Sequence, residues 1–278
     1  MDTRTHRIAA ALALLLFSAV ASAQDTPWQG FYLGGQAGGS EPSGNGGGRI
    51  LFDTDLNGSF GDTVRTAAGA DAFSPGFCGG AANGRTPASG CRDDKGGADV
   101  GLRAGYDWQR GGLVFGAVLE YTEHDLRDSV TGFSTTPAFY TMTRDLDRSL
   151  ALRGRIGLAF GERSDWLGYV TAGGVRAQLR NSFTTSNGAN GFVQSGDDHA
   201  NGLQAGIGLE RCIQGGLSVG LEYLHTRLED DGFRVRAVRG NAPATNPFVI
   251  VNPGGTDFRR SDDTLQYGSL RLTATWRF

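Results

Sequence analysis

The last thirteen residues, Gln266 to Phe278, read Q-Y-G-S-L-R-L-T-A-T-W-R-F. Counting back from Phe278, the even positions are Trp276, Ala274, Leu272, Leu270 and Gly268, and the odd positions are Arg277, Thr275, Thr273, Arg271 and Ser269. One face is aromatic and aliphatic, the other cationic and hydroxylic, and the period is strictly two. That is a β-strand whose faces meet two different solvents. The chain stops on an aromatic residue, with no polar tail. Together with what precedes it, this favours lipid on one side and a polar lumen on the other.

Working back from the terminus, the same alternation recurs. Leu217, Val219, Leu221 and Tyr223 oppose Ser218, Gly220 and Glu222, and Leu203, Ala205, Ile207 and Leu209 oppose Gln204, Gly206, Gly208 and Glu210. Leu150, Leu152, Ile156, Leu158 and Phe160 are set against Ala151, Arg153, Arg155 and Gly157. Leu113 to Tyr121 and Ala98 to Trp108 carry the clearest patterns, and Gln29 to Gly39 is the first strand, with Trp28 just ahead as an interface aromatic. Trp166 to Leu179 is less regular; Leu167, Tyr169, Val175 and Leu179 are expected to face lipid, and Arg176 the lumen.

Short turns are expected at Arg110 to Gly112, Gly161 to Asp165 and Ile213 to Gly216. Four long polar loops are expected at Ser40 to Gly97, His124 to Asp147, Arg180 to Ala200 and Glu229 to Asp263. Eight strands, with short turns and long loops in strict alternation, predict an all-β fold: an eight-stranded antiparallel transmembrane β-barrel with periplasmic turns and four extracellular loops. The rival, a soluble antiparallel sandwich, would usually lack the terminal Phe and the strict alternation.

Composition agrees. Only 39% of residues are hydrophobic, as expected when half of each strand is polar, and Gly is 45 of 278. Glycine within strands permits the bending and close backbone approach that a small closed barrel needs. Arg4 and Arg7, the apolar run Ile8 to Val20 and the box Ala21-Ser22-Ala23 predict a signal peptide over residues 1–23, leaving the barrel domain as 24–278. No later segment has about 18 consecutive apolar residues, which excludes a helical membrane protein. A net charge of −3 argues against nucleic acid as a partner.

An eight-stranded barrel is about wide enough for side chains to fill. Its inward charges must therefore pair, and Glu120, Glu210 and Glu222 facing Arg153, Arg155 and Arg271 are expected to form a structural ion-pair network. The competing reading of the same residues is a narrow ion path. Export to an oxidising compartment makes a Cys78–Cys91 disulfide an expectation, with Cys212 free. His124, His199 and His225 match no Ser- and acid-containing motif, so no enzyme is predicted and no catalytic residue is assigned. Asp53 to Gly58, D-T-D-L-N-G, matches the first half of a calcium loop, but Val64 stands where the bidentate Glu belongs; a loop turn is the expectation, with no metal and no cofactor. Arg259-Arg260 and Arg234, Arg236 and Arg239 could meet lipopolysaccharide phosphates, although a solvated loop explains them better.

W-Q-G-F-Y-L-G-G-Q-A-G-G at Trp28 to Gly39 resembles the opening strand of the small porin-like outer-membrane proteins, which include the outer-membrane immunogenic proteins of alphaproteobacteria. G-Y-D-W-Q at Gly105, G-L-V-F-G-A-V-L-E-Y at Gly112 and G-L-E-Y-L-H at Gly220 resemble internal strands of that family, and R-L-T-A-T-W-R-F its terminal strand. The resemblance covers the strands and none of the loops. It implies an outer-membrane barrel akin in architecture to OmpA and OmpX, whose last strand, with Trp276 and Phe278, is read by the barrel-assembly machinery. It also implies roles in envelope integrity, in surface adhesion through the loops, or in pore formation. The expected partners are outer-membrane lipid and lipopolysaccharide and a surface ligand at the loops. The expected function is envelope stabilisation with surface interaction; the alternative is a small diffusion channel.

Overall fold

The computed structural model describes residues 27–43 and 48–278. The expected signal peptide lies outside the described residues. Eight long strands form the barrel: β1 (Gly30–Pro42), β2 (Gly97–Arg110), β3 (Leu113–Ser134), β4 (Ala138–Phe160), β5 (Trp166–Thr185), β6 (His199–Gln214), β7 (Leu217–Glu229) and β8 (Thr264–Arg277). Each pairs antiparallel with the next, and β1 pairs with β8 through the Leu33–Trp276 and Ala37–Leu272 registers, so the ring closes and leaves no barrel edge. The terminal Phe278 N–H donates to the Phe31 carbonyl at 2.9 Å, fastening the closing strand. Short turns join β2 to β3, β4 to β5 and β6 to β7 on one rim. Gly111 (φ 57°) and Gly215 (φ 59°) supply the left-handed backbone that the tightest of these turns require.

Strand pleating sorts the side chains as the alternation predicts. Phe31, Leu102, Leu158, Leu203 and Leu272 point outward, with Leu203 72% and Leu272 68% exposed, while Arg103, Glu120, Arg153, Glu222 and Arg271 are buried inside. The exception is β5. Leu167, Tyr169, Val175 and Leu179 are buried within the barrel and do not face lipid, and Arg176 points out. The cause is size: the outward residues of β5 include Gly168, Ala172 and Gly174, and Gly174 lies in register between Leu152 and Leu203. The outer surface at Gly174 is open, with nothing within 4 Å of where a Cβ would stand, and the large residues of β5 lie on the lumen face.

Beyond the long-loop rim the chain remains ordered. β3 and β4 continue as a paired hairpin up to Ser134 and Ala138, so His124 to Asp147 is strand and not loop. Above the membrane the outward residues meet water, and the apolar-out signature vanishes although the ladder continues. Against this hairpin packs a four-stranded sheet in the order Gly191–Ser195, Arg234–Val238, Thr256–Arg260 and Ile50–Asp53, drawn from the first, third and fourth long connections. Its core joins Phe52, Phe73, Val130, Tyr140, Met142, Phe183, Phe248 and Phe258. Phe52 meets Phe258 edge-on with ring centroids 5.0 Å apart, and Phe248 lies 5.2 Å from Phe258. Such pairs add to the burial of large apolar area. The loops form a folded cap.

Candidate functional site

The lumen holds five arginines, Arg103, Arg153, Arg155, Arg271 and Arg277, and five carboxylates, Asp99, Asp107, Glu120, Glu210 and Glu222, all buried. Glu222 receives Arg103 at 3.1 Å and Arg153 at 3.1 Å, and Arg153 also contacts Glu120. Arg155 Nε donates to Asp107 at 2.8 Å and its NH1 to Glu210 at 2.8 Å. Arg271 reaches Asp99 at 3.2 Å and Glu120 at 3.7 Å. The Tyr169 hydroxyl donates to Glu222 at 2.9 Å, and Arg277 donates to Asp107 at 2.8 Å. The six residues singled out from the sequence fall in two clusters: Glu120, Arg153, Glu222 and Arg271 with Arg103 and Asp99, and Arg155 and Glu210 with Asp107 and Arg277, with Tyr169 bonded to Glu222 and stacked on Arg155 between them. With five charges of each sign, each arginine has a carboxylate, which is what low-dielectric burial demands.

Apolar layers close these clusters above and below. At the short-turn end, Trp28, Val114, Leu167 and Tyr169 pack together. Trp28 is 0% exposed, so it is a floor and not an interface aromatic; its indole N–H donates to the Ser164 carbonyl at 2.8 Å, and Arg277 stacks over its ring. The polar N–H finds a partner where the turn at Gly161–Asp165 folds beneath the barrel. At the cap end, Leu126, Leu146, Val175, Leu179, Leu228, Leu265 and Tyr267 form a second apolar layer across the bore.

Above that layer lies an arginine hub that sequence reasoning did not find. The buried Arg144 on β4 donates from Nε to Asp230 at 2.6 Å, from NH1 to Asp262 at 3.1 Å and from NH2 to the Asp262 carbonyl at 2.6 Å. Arg260 donates to Asp128 at 2.8 Å and to Asp262 at 3.1 Å. Burial would raise the Asp262 carboxyl, yet Arg260 and Arg144 hold it below the usual carboxylate range. Nearby, Asp94 accepts the Ser129 N–H at 2.7 Å; burial, opposed by that bond and reinforced by the adjacent Asp128, pushes Asp94 up to about 6. Arg260 therefore faces inward and is spoken for, and Arg236 pairs with Asp257 at 2.7 Å. Arg234 and Arg259 lie against the ring of Phe60 at 5.2 and 4.7 Å.

Cys78 and Cys91 are joined as a disulfide with Cα atoms 6.4 Å apart, and Cys212 is free. The strand Gly76–Gly79, carrying Cys78, pairs with Val130–Phe133 of β3. His124 Nε2 lies 2.9 Å from Ser149 Oγ, but inside the barrel, and its Nδ1 has no partner among the described residues. The acid that would orient such a base is missing from the pair. His199 and His225 are exposed and outward. Carboxylate oxygens of Asp53, Asp55 and Asp62 gather within 4.8 Å of one another. Asp53 accepts the N–H groups of Asn57 and Gly58 at 3.1 and 2.7 Å, and Asp62 accepts those of Thr54. Val64, at the twelfth position, is buried in the cap core. These bonds make the D-T-D-L-N-G stretch a self-satisfied turn.

The model of the outer membrane protein beta-barrel domain family matches residues 9–278. No curated protein matches the chain in sequence. Among solved structures, the outer membrane protein OprG from Pseudomonas aeruginosa is similar with a TM-score of 0.49 and 10% identity, covering 91% of this chain and 99% of that one. Neisserial surface protein A gives 0.37 at 12% identity, over 90% and 98%. The attachment invasion locus protein Ail of Yersinia pestis gives 0.34 at 10%, over 90% and 100%.

Proposed function

Because this chain belongs to the outer membrane β-barrel family and sits in the bacterial outer membrane, we propose that it is a sealed, non-enzymatic barrel that stabilises the envelope and presents a rigid cap at the cell surface. The observation that carries this reading is the filled bore: two charge-balanced clusters, together holding five arginines and five carboxylates, lie between the Trp28 floor and the Leu265–Tyr267 layer. Moving an ion through it would mean breaking buried pairs, each worth several kcal/mol when one partner is lost. The cap, held by Arg144 and its own phenylalanine core, is the surface on which a ligand would be met, and Arg234 and Arg259 flanking Phe60 are its cationic feature. Trp276 and Phe278, at the end of the closing strand, are assigned to recognition by the assembly machinery, Phe278 being 55% exposed.

The test is single-channel recording of the barrel refolded without residues 1–23 in planar bilayers, with heat-modifiable gel mobility reporting the fold. A folded barrel that leaves the bilayer silent is the expected result. Steady, reproducible steps would overturn the sealed reading in favour of the diffusion channel.

A further inference from the structure

The outer wall carries a second charged feature, distinct from the lumen and the cap. Pleating sends Arg148 of β4, Arg176 of β5 and Arg227 of β7 outward, onto the same face as Leu150, Leu203 and Tyr223. Register gathers them: Arg176 lies opposite Leu150 on one side and Asn201 on the other, and Arg227 lies opposite Leu203. All three are exposed at the upper edge of the apolar belt, where the strands leave it for the cap.

None of the three has a carboxylate partner among the described residues. Three other outward arginines do: Arg127 meets Asp145 at 2.6 Å, Arg180 meets Asp147, and at the opposite rim Arg211 meets Asp165 at 3.5 Å. Arg148 donates one N–H, from Nε, to Gln178 at 2.6 Å, which orients the guanidinium and leaves its remaining donors open. Glu123 of β3 lies opposite Arg148 in register yet makes no ion pair with it, while Asp125 is taken by Lys95 at 2.6 Å.

A guanidinium facing hydrocarbon costs about 2–4 kcal/mol at the midplane and about 0–1 near the interface. Long arginine stems run upward along apolar wall and place the charge at the headgroup level. The anions at that level of the outer leaflet are lipid phosphates, and the planar guanidinium fork matches phosphate oxygens in bidentate fashion. We propose that Arg148, Arg176 and Arg227 form a docking row for the phosphate groups of outer-leaflet glycolipid, fixing one lipid A molecule against the β4–β7 side of the wall. This deepens the envelope-stabilising reading and stands whether or not the lumen conducts.

The test measures retention of bis-phosphorylated lipid A by the refolded barrel in detergent micelles, using native mass spectrometry, with heat-modifiable mobility confirming the fold. Wild type is expected to hold lipid A at least tenfold more tightly than R148Q/R176Q/R227Q, and dephosphorylated lipid A no better than that triple variant does. Millimolar inorganic phosphate is expected not to displace the lipid, because the apolar wall below the row contributes to holding it. Should the triple variant not fold, R176Q alone is expected to weaken retention about threefold. Equal retention by wild type and variant overturns the proposal. So does equal binding of phosphorylated and dephosphorylated lipid, or a comparable loss in R110Q/R163Q, whose charges lie on the short-turn rim.

Discussion

Arg144 on β4 donates its Nε–H to the Asp230 carboxylate at 2.6 Å, bridging 86 residues of sequence and binding the fourth long connection to the β3–β4 hairpin. Its NH1 and NH2 meet Asp262 and the carbonyls of Asp230 and Asp262, so one side chain gathers both ends of that connection. Replacing Arg144 with Met would leave Asp230 without a cation and Asp128 and Asp262 with Arg260 alone. Breaking a buried pair costs about 3–5 kcal/mol. The cap is expected to open locally while the barrel persists, seen as rapid protease cleavage between Asp230 and Asp263 with heat-modifiable mobility unchanged. Unaltered protease resistance would refute the latch.

Glu222 joins Arg103, Arg153 and the Tyr169 hydroxyl at the centre of the bore. Glu222→Gln keeps the shape and removes the charge, leaving two buried guanidiniums sharing fewer anions. A loss of about 3–5 kcal/mol is expected in urea unfolding of the lipid-embedded barrel. Unchanged stability would mean that water already solvates the network.

Phe258 is fully buried at the centre of the cap core, against Phe52, Tyr140, Phe192 and Phe248. Phe258→Ala is expected to cost about 3–5 kcal/mol, confined to the cap. Hydrogen exchange should accelerate in Thr256–Arg260 and Arg234–Val238 and stay slow in β6 and β7.

Asp94 sets a pH dependence. Its folded-state value near 6 exceeds its ordinary 3.8, so the folded cap holds a proton that the unfolded chain releases sooner. Stability therefore falls as pH rises from about 4 through 6 and levels off above. Asp262 has the opposite sign, and its contribution is lost only in more acidic solution. Protease resistance of the cap is expected to be greater at pH 5 than at pH 7.5, and Asp94→Asn should remove the difference. A cap equally resistant at both pH values in the wild type would exclude this assignment.

The Cys78–Cys91 bridge closes a loop of sequence separation 13 and anchors the strand Gly76–Gly79 to β3. Closing a loop of that length is worth about 3 kcal/mol in the chain-entropy account. The Cys78→Ser/Cys91→Ser variant is expected to lose hydrogen-exchange protection in Gly76–Gly79 while β1 and β8 are unaffected.

The barrel was legible in the sequence because every strand within the membrane must satisfy two solvents at once. Lipid and lumen impose a period of two that survives without knowledge of any partner, as Leu270, Leu272 and Trp276 alternating with Arg271 and Thr273 illustrate. The inward charges followed from the same parity, Arg176 excepted. Tertiary structure decided the rest, for reasons that alternation cannot carry. β5 sends Leu167, Tyr169, Val175 and Leu179 inward because its register with β4 and β6 puts Gly168, Ala172 and Gly174 on the outer face, a relation between three strands. Trp28 becomes a floor because a turn 136 residues later offers its Ser164 carbonyl. Above the membrane, water replaces lipid, the outward signature disappears, and His124 to Asp147 reads as loop. There Phe52, Phe258 and Arg144 find their partners only once the closed barrel brings the ends of distant loops together.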